Sequence, residues 1–563
     1  PKFDAAVWVS DKGREGTTNL NYLLDEIART LDYPGFTILS NEDKKQEIDN
    51  LLRRQRVLII IDNFETITDS LLVSWLLKLP EPSKAIVTSR EYSRAFRNCT
   101  YVVELHGMDE NETKELVTNR LQMLGIERLL NDWSQMVLLV DVTGGNPMAI
   151  EIALGYIKYQ RKPINEIIDE IYLAKGELFD YLFSRCWDLI SNEERSLLMS
   201  MYLFPFGAYS EALSAINEIK GFTLDTVLSH LTDLSLLDVH QEDIFSKPHY
   251  SLHSLVRLFV KVKLNEYPSF EAMVKDNWIN WNKKVAAKIG FCWNDIEKLK
   301  LLDPEGEREN IEAFLEWAFE NKHYSDVIQI TKDIRYYYYV RGIWATKNNL
   351  IRAEAAKILG DKNTEFEALV YHINIASKQN NTNEVEIYLP RLDELAQSGN
   401  ITRESMIDFR HASALYYLAS HNFEKAQNLW EQNLNEGNLS PHSTNANRRW
   451  LAVCLYGRGH NDEAMKLFDE LRKDAQRQNF ARGVVSAETY LSAIELDEGN
   501  AATAKEKISQ TLELANKIKD KRAVAELSLL LGKCNIKVGD LSEARNNLSE
   551  AVDAICAYID NKE

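Results

Sequence analysis

The chain has 563 residues, of which 45% are hydrophobic, and its formal net charge is −19. This length predicts several domains, each with enough apolar residues to form a core. The negative charge argues against broad affinity for nucleic acids or anionic membranes.

The six cysteines are scattered and include no CxxC pair. Such a distribution is typical of reduced, buried thiols, so we expect a cytoplasmic protein. No apolar run approaches the length of a transmembrane helix, and we therefore expect no membrane partner.

Residues 1–105 predict an α/β layer, with strands near 3–10, 57–62, 85–89 and 101–105 and helices between them. The loop after the first strand, Gly13-Arg14-Glu15-Gly16, has the position of a phosphate-binding loop. It lacks a lysine followed by Ser or Thr, and an acidic residue within it would repel phosphate. We interpret it as an ordinary connection, and the pattern GxxxxGK followed by Ser or Thr occurs nowhere in the sequence.

The apolar run Val57–Ile61 ends on Asp62. A continuous apolar run of this length predicts a strand buried on both faces of a parallel sheet. An aspartate at its carboxyl end sits where open α/β sheets bind ligands. A buried strand followed by a turn aspartate is also a common structural pattern. Asp62 therefore becomes a candidate binding residue only in combination with the segments that follow.

Two later segments carry further polar residues at element ends. The strand Lys84–Ser89 is followed by Arg90, and an arginine at a strand end can reach a terminal phosphate. Thr143–Ile150 has two glycines that end one helix and Pro147 in the first turn of the next. The whole of 106–170 is predicted to be helical.

Residues 171–265 predict a winged helix, with helices at Phe179–Ile190, Asn192–Leu203 and Thr223–Leu234 and strands near 236–240 and 249–253. The third helix has no lysine or arginine and carries two aspartates, which argues against reading DNA in the major groove. We favour a structural role for it.

The spacing of His249 and His253 also permits a metal site, but no third ligand is evident nearby, so we do not expect one. Residues 266–360 predict a helical connector, with amphipathic helices at Glu309–Glu320 and Thr331–Gly342.

Residues 361–563 predict a repeat array. Related turns end at Ala426, Ala464, Ala504 and Ala544, at intervals of 38, 40 and 40 residues. Each turn is expected to join two helices, as in tetratricopeptide repeats. Such arrays present extended binding surfaces, although an array can also act as a spacer.

Four of these segments, in chain order, resemble motifs of the NB-ARC type of STAND ATPases, the signal-transduction NTPases with several domains. The matching segments are the strand ending at Asp62 (Walker B), the strand ending Thr88-Ser89-Arg90 (sensor), Gly144–Ile150 (GLPL-like) and Leu252-His253-Ser254 (MHD-like). The motifs cover residues 1–265, and the remainder matches by architecture.

The resemblance implies a multidomain fold. It consists of an incomplete α/β P-loop NTPase core (1–105), a helical lid (106–170), a winged helix (171–265), a connector (266–360) and an all-α tetratricopeptide-like superhelix (361–563). In this family, the first strand of our chain matches the strand after the P-loop helix. Because the chain begins at Pro1 rather than at a methionine, we expect the P-loop to lie upstream, with its strand beside the sensor strand.

The resemblance also implies ATP or ADP and Mg²⁺ as cofactors. It assigns Asp62 to the Mg²⁺ shell, Arg90 to the γ-phosphate, Pro147 to the base and ribose, and His253 to the β-phosphate of ADP. Asn63 would lie at the same site.

Two departures from the family pattern affect what is expected of this site. Asn63 replaces a second aspartate that could act as a base in many relatives, so hydrolysis is expected to be slow. Ser254 replaces the aspartate of the MHD motif. Without the upstream P-loop, the chain is not expected to be active.

The function implied is a nucleotide-dependent switch. A protein or small molecule on the repeats would favour exchange of ADP for ATP and formation of a homo-oligomer. Two alternatives stay open: a transcriptional regulator that acts through an upstream output domain or through its winged helix, and a scaffold that only displays repeats. The acidic third helix argues against direct nucleic-acid binding, and the intact Asp62 and Arg90 argue against the scaffold.

Overall fold

The structure is a computed structural model. It describes residues 2–10, 18–31, 33, 41–89, 100–103, 105, 107–108, 110–131, 133–160, 162, 164–173, 177–241, 246–290, 296–302, 304, 306–340, 346–378, 381–399, 401–478, 480–518 and 520–559. The chain divides into two compact units. One comprises residues 1–95, 289–296 and 318–563, and the other comprises residues 96–288 and 297–317.

The first segment alternates strands and helices: β1 (Ala5–Ser10), α1 (Leu20–Thr30), α2 (Asn41–Arg54), β2 (Val57–Asp62), α3 (Ser70–Leu76) and β3 (Lys84–Val87). The three strands form a parallel sheet in the order β1-β2-β3. Helix α1 begins at Leu20 because Asn19 is its N-cap and its side chain accepts a hydrogen bond from the Tyr22 N–H.

The parallel sheet buries one face. Val7, Val9 and Ile59 are fully or almost fully buried, and α1 packs against β1. The opposite face is open among the described residues, with Trp8 62% exposed and Ile86 51% exposed. Of the predicted burial of β2 on both faces, the described residues show full burial on one face and partial burial of Leu58 and Ile60 on the other.

The fourth predicted strand, near 101–105, is wrong. Residues 101–103 and 105 form no strand, and Tyr101 and Leu105 are almost fully exposed. Their β-branched and aromatic residues favour a strand only where a sheet edge supplies backbone partners. Among the described residues, β3 pairs with β2 alone, and residues 101–103 and 105 pair with no strand.

The middle of the chain is mainly helical. Its elements are α4 (Glu110–Met123), α5 (Trp133–Val142), α6 (Pro147–Tyr159), α7 (Ile164–Leu173), α8 (Leu178–Leu189), α9 (Asn192–Ser200), β4 (Ala208–Tyr209), α10 (Ser210–Asn217), α11 (Gly221–Asp233), β5 (Asp238–His240), β6 (His249–Ser251) and α12 (Ser254–Asn265). The short strands form an antiparallel sheet in the order β4-β6-β5. The predicted helices and hairpin strands are present, whereas α10, α12 and β4 were not predicted.

The connector contains α13 (Pro268–Ile289), α14 (Ile296–Leu299), α15 (Glu307–Glu320) and α16 (Tyr324–Val340). Aromatic residues of the connector pack against one another. The Trp278 ring lies 4.9 Å from the Phe314 ring and 5.2 Å from the Trp317 ring, centroid to centroid. These contacts lie within the second unit.

The remaining helices follow one another closely. They are α17 (Thr346–Leu359), α18 (Lys362–Lys378), α19 (Thr382–Gln397), α20 (Arg403–Ala419), α21 (Phe423–Glu436), α22 (Pro441–Gly457), α23 (Asn461–Arg477), α24 (Ala481–Asp497), α25 (Ala501–Lys517), α26 (Lys521–Val538) and α27 (Leu541–Ile559). The predicted repeat is confirmed as helix pairs. The four alanines at the predicted helix crossings are all buried: Ala426, Ala464, Ala504 and Ala544.

The turn within each pair needs one left-handed residue. Gly459, Gly499 and Gly539 have φ values of 80°, 95° and 88°, and His421 has a φ of 57° at the same place in the earlier pair. Glycine adopts this conformation without the steric cost that a Cβ atom imposes. No described helix is long and apolar enough to cross a membrane.

Candidate functional site

Asp62 is the centre of a small polar group at the carboxyl end of the parallel sheet. In the strand register Ser10 lies directly beside Asp62. The Ser10 hydroxyl donates to Asp62 Oδ2 at 3.2 Å, and the Thr88 hydroxyl donates to Asp62 Oδ1 at 2.6 Å. Each carboxylate oxygen therefore has one hydroxyl partner and keeps lone pairs for a further ligand.

The direction of the Thr88 hydrogen bond is fixed by Asn63. The Asn63 backbone N–H donates to Thr88 Oγ1 at 3.2 Å, so the hydroxyl proton is left to point at Asp62. Asn63 reaches this position because its backbone is left-handed, with φ 58° and ψ 47°. The next residue, Phe64, donates its N–H to the Thr88 carbonyl at 3.0 Å, and this hydrogen bond stabilises the same turn.

These residues fit a magnesium ion that is completed by phosphate. Mg²⁺ prefers oxygen ligands and is usually held by one or two carboxylates together with water and substrate phosphates. One carboxylate flanked by two hydroxyls meets that description. No group of three or more His, Cys, Asp or Glu side chains that could hold a metal alone occurs among the described residues.

Two segments that bear on this site lie outside the described residues. They are Arg90, predicted to contact the γ-phosphate, and the loop Gly13–Gly16. The role of Arg90 stays a prediction, as does the interpretation of the loop.

Pro147 begins α6 in a tightly built turn of the second unit. Asn146 caps the helix by accepting the Ala149 N–H at 3.1 Å. Gly145 accepts a hydrogen bond from the Met108 N–H at 2.9 Å. A Cβ atom on Gly107 would lie 2.0 Å from the Gly144 oxygen, so the close approach of these two backbone segments requires glycine.

His253 is the N-cap of α12. Its Nδ1 atom accepts the Leu255 N–H at 3.3 Å. Because Nδ1 acts as an acceptor, the neutral ring carries its proton on Nε2. In this structure His253 therefore acts as a helix cap within the second unit.

The predicted site residues divide between the two units. The structure brings Asp62 and Asn63 together in the first unit, while Pro147 and His253 belong to the second. Sequence reasoning did not assign Ser10 and Thr88 to the site. Their signal was present, since Ser10 ends β1 and Thr88 directly follows β3, the two strands beside β2.

The exposed face of α11 bears on nucleic-acid binding. Its exposed residues are Gly221, Phe222, Thr223, Asp225, Thr226 and Ser229, and none is basic. The C-terminal end of α11 is held by hydrogen bonds within its own unit. Arg120 donates to the carbonyls of Thr232 and Asp233 at 2.9 and 3.0 Å, and Lys158 and Tyr159 both donate to the Asp233 carboxylate.

No protein-family model matches the chain. Among curated proteins, the transcription activator GutR of Bacillus subtilis is 22% identical over 507 residues, which is 83% of this chain and 60% of the relative. The disease resistance protein RRS1 of Arabidopsis thaliana is 23% identical over 267 residues, which is 43% of this chain and 18% of that protein. The chain therefore spans less than two thirds of either relative.

Two solved structures show weaker likeness. One is a signal transduction ATPase with numerous domains that carries a tetratricopeptide repeat sensor, from Pyrococcus horikoshii. It is 16% identical with a TM-score of 0.47, and the match covers 98% of this chain and 84% of that one. The other is BtubC from P. vanneervenii, at 13% identity and a TM-score of 0.27, covering 43% of this chain and 90% of that one.

Proposed function

We propose that this chain is the larger part of a nucleotide-controlled signal-transduction switch of the STAND class, NB-ARC type. The observation that carries the proposal is the carboxylate of Asp62, held by two hydroxyls at the carboxyl end of a parallel sheet. Its support is the order of the four family motifs along residues 1–265 and the helical repeats that follow.

In this proposal Asp62 holds Mg²⁺, directly or through water, while Ser10 and Thr88 orient its carboxylate. The ion, when bound, neutralises charge on the nucleotide phosphates. Arg90 reports the γ-phosphate, and Asn63, which cannot serve as a base, makes hydrolysis slow. The phosphate loop lies upstream, since β1 corresponds to the strand that follows the P-loop helix.

The remaining segments take the family's roles. Residues 106–170 form the lid, 171–265 the winged helix and 361–563 the sensor. Pro147 contacts the base and ribose, and His253 contacts the β-phosphate of ADP. ADP then favours the closed arrangement, whereas ATP with a ligand on the repeats favours an oligomer.

A second candidate is a transcriptional regulator built on the same switch. The sequence relative that spans 83% of this chain is named a transcription activator. The exposed face of α11 has no basic residue, so an output domain outside these residues fits this candidate better than the winged helix does. A DNA-binding assay on the 563-residue chain separates an output through the winged helix from an output through a domain outside these residues. Only a regulator that acts through its winged helix would bind DNA in this assay.

The switch is tested by light scattering on a protein extended upstream to include the phosphate loop. We expect a single copy with ADP and a larger assembly with ATP. His253→Ala should remove most of the ADP-induced thermal shift while leaving the ATP-induced shift. A matched control is Ser254→Ala in the first turn of the same helix. Equal masses with both nucleotides would contradict the switch, and an unchanged ADP shift would remove His253 from the site.

A further inference from the structure

Residues 202–207 lie between α9 and β4 in the second unit and form a compact turn. The Gly207 N–H donates to the Phe204 carbonyl at 3.2 Å. Gly207 has a φ of 83°, and a Cβ atom there would lie 2.6 Å from the Tyr250 carbonyl oxygen of β6. The turn therefore requires glycine, and its backbone packs directly against β6.

Arg257, in the first turn of α12, binds this turn through its guanidinium group. Its Nη1 atom donates to the Tyr202 carbonyl at 2.7 Å, and its Nη2 atom donates to the Phe204 carbonyl. Arg257 pairs with no carboxylate among the described residues, and burial lowers the pKa of Arg257 to about 10. The group is still charged at pH 7, so loss of these acceptors would leave a buried charge uncompensated. Residues 202–207 and α12 are therefore constrained to move together.

Asn310, in the first turn of α15, binds the same turn through its amide. The side chain is buried, its Nδ2 atom donates to the Gly207 carbonyl at 2.8 Å, and its Oδ1 atom accepts the Phe206 N–H at 3.3 Å. The two backbones are in close contact here, since a Cβ atom on Gly306 would lie 2.7 Å from the Phe206 carbonyl oxygen. Loss of the amide would remove a hydrogen bond from buried backbone, so residues 202–207 are also fixed to α15.

His253 lies between β6 and α12 in the sequence, and both elements contact residues 202–207. Strand β6 does so through Tyr250, which pairs with the residue after Gly207, and α12 does so through Arg257. The His253 carbonyl accepts the Arg257 N–H at 2.9 Å, and its ring caps α12. The position of His253 is therefore set by the two elements that residues 202–207 contact.

Helix α15 leads from the second unit into the first. The boundary between the units follows Trp317, within this helix, and the repeat helices come later in the chain. A displacement of α15 would act on residues 202–207 through Asn310, and these residues would act on α12 through Arg257. Energetic coupling between separate sites is carried by contiguous contacts of this kind.

We propose that residues 202–207 are a coupling segment that transmits a displacement of α15 to His253, with Arg257 and Asn310 as its positioning residues. This inference rests on the proposed function, which makes His253 a contact of ADP and the repeats a sensor. A ligand that displaces α15 would alter the position of His253 and the affinity for ADP. By reciprocity, ADP would favour one position of α15.

The test is hydrogen–deuterium exchange by mass spectrometry on the 563-residue chain without nucleotide. Asn310→Ala should raise exchange in residues 254–265 by about threefold or more, although Asn310 contacts the coupling segment rather than α12. The matched control is Asn282→Ala, which removes a buried amide that donates to the Trp278 carbonyl of its own helix at 2.8 Å. Unchanged exchange in α12 of Asn310→Ala, or equal increases in both variants, would overturn the inference.

Arg257→Lys tests the same coupling from the opposite helix. Lysine keeps the charge but cannot donate to both carbonyls in the geometry of the guanidinium, so exchange in residues 307–317 should also rise about threefold. This variant decides the question if circular dichroism shows that Asn310→Ala does not fold.

The double variant Arg257→Lys/Asn310→Ala separates coupling from two independent structural roles. If both residues act through one segment, its effect on exchange in residues 254–265 should fall well below the product of the two single effects. An effect equal to that product would overturn the inference. Calorimetry of ADP on the upstream-extended protein measures the role of His253 separately, so the coupling and the proposed function fail independently.

Discussion

Thr88 Oγ1 lies 2.6 Å from Asp62 Oδ1 and at the same time accepts the Asn63 N–H at 3.2 Å. The Thr88 hydroxyl, directly after β3, thereby orients the Asp62 carboxylate at the end of β2. It also holds the left-handed turn at Asn63. The Asp62 carboxylate is therefore oriented in the absence of a ligand, as expected of a preorganised binding site.

Thr88→Val removes this hydroxyl and keeps the shape of the side chain. We expect a local loss of about 1 kcal/mol, equivalent to roughly fivefold faster amide exchange in residues 62–66. Hydrogen–deuterium exchange by mass spectrometry measures it. Thr88→Ser retains the hydroxyl and is the control. Equal exchange in all three proteins would show that the Thr88 contact does not hold the turn.

Arg90→Ala tests the predicted γ-phosphate contact in a protein that includes the upstream segment. The loss of a charged hydrogen-bond partner weakens ATP by about 1.5–3 kcal/mol, with a smaller effect on ADP. Calorimetry with both nucleotides measures the difference. Lys84→Ala, at the opposite end of β3, should leave both affinities unchanged. Equal losses for ATP and ADP in the Arg90 variant would make its role structural.

Asp233 links stability of the second unit to pH. Burial alone would raise its pKa, but hydrogen bonds from Lys158 and Tyr159 and the charge of Arg120 outweigh burial and lower the pKa below 3.8. A lowered folded-state pKa means that this stabilisation is present above the unfolded pKa and is lost as pH falls through the folded one. We expect Asp233→Asn to cost about 1–3 kcal/mol at pH 7 and progressively less below pH 4.

Urea unfolding at pH 7 and at pH 3 measures this difference. Asp225→Asn, on the exposed face of the same helix, is the control and should be within about 0.5 kcal/mol of wild type. A cost for Asp233→Asn that is the same at both pH values would show that the carboxylate charge does not contribute.

The turns of the repeat array predict opposite effects of two substitutions. Gly459→Ala places a Cβ atom on a left-handed residue and should cost about 1 kcal/mol. His421→Gly relieves the same strain in the earlier repeat and should be neutral or stabilising. Thermal unfolding monitored by circular dichroism compares them. Destabilisation by His421→Gly would show that the contact of its ring with Phe423 outweighs the backbone strain.

Hydrophobic periodicity and turn residues predicted most of the fold. The strand ending at Asp62 and the alanine spacing of the repeats predicted their elements because local patterns dominate there. The segment 101–105 failed because its pattern needs a neighbouring strand edge, which is a tertiary requirement. Helix α10 and strand β4 are only eight and two residues long, too short for a periodic signal.

The candidate site was predicted in part. Asp62 was found from its place at a strand end, whereas its partners Ser10 and Thr88 depend on strand order, which no local pattern shows. The orientation of His253 as a helix cap likewise follows from the backbone of α12.

The most direct measurement is calorimetry of ADP and ATP, with Mg²⁺ and with EDTA, on the printed chain, on the upstream-extended protein and on the extended protein carrying Asp62→Ala. We expect the 563-residue chain to bind ADP and ATP weakly and the extended protein to bind them with micromolar or tighter affinity. Asp62→Ala should weaken binding at least tenfold with Mg²⁺, in line with a loss of about 1.5–3 kcal/mol, and little in EDTA. Equal affinities for the printed and extended chains, or no effect of Asp62→Ala with Mg²⁺, would contradict the nucleotide switch.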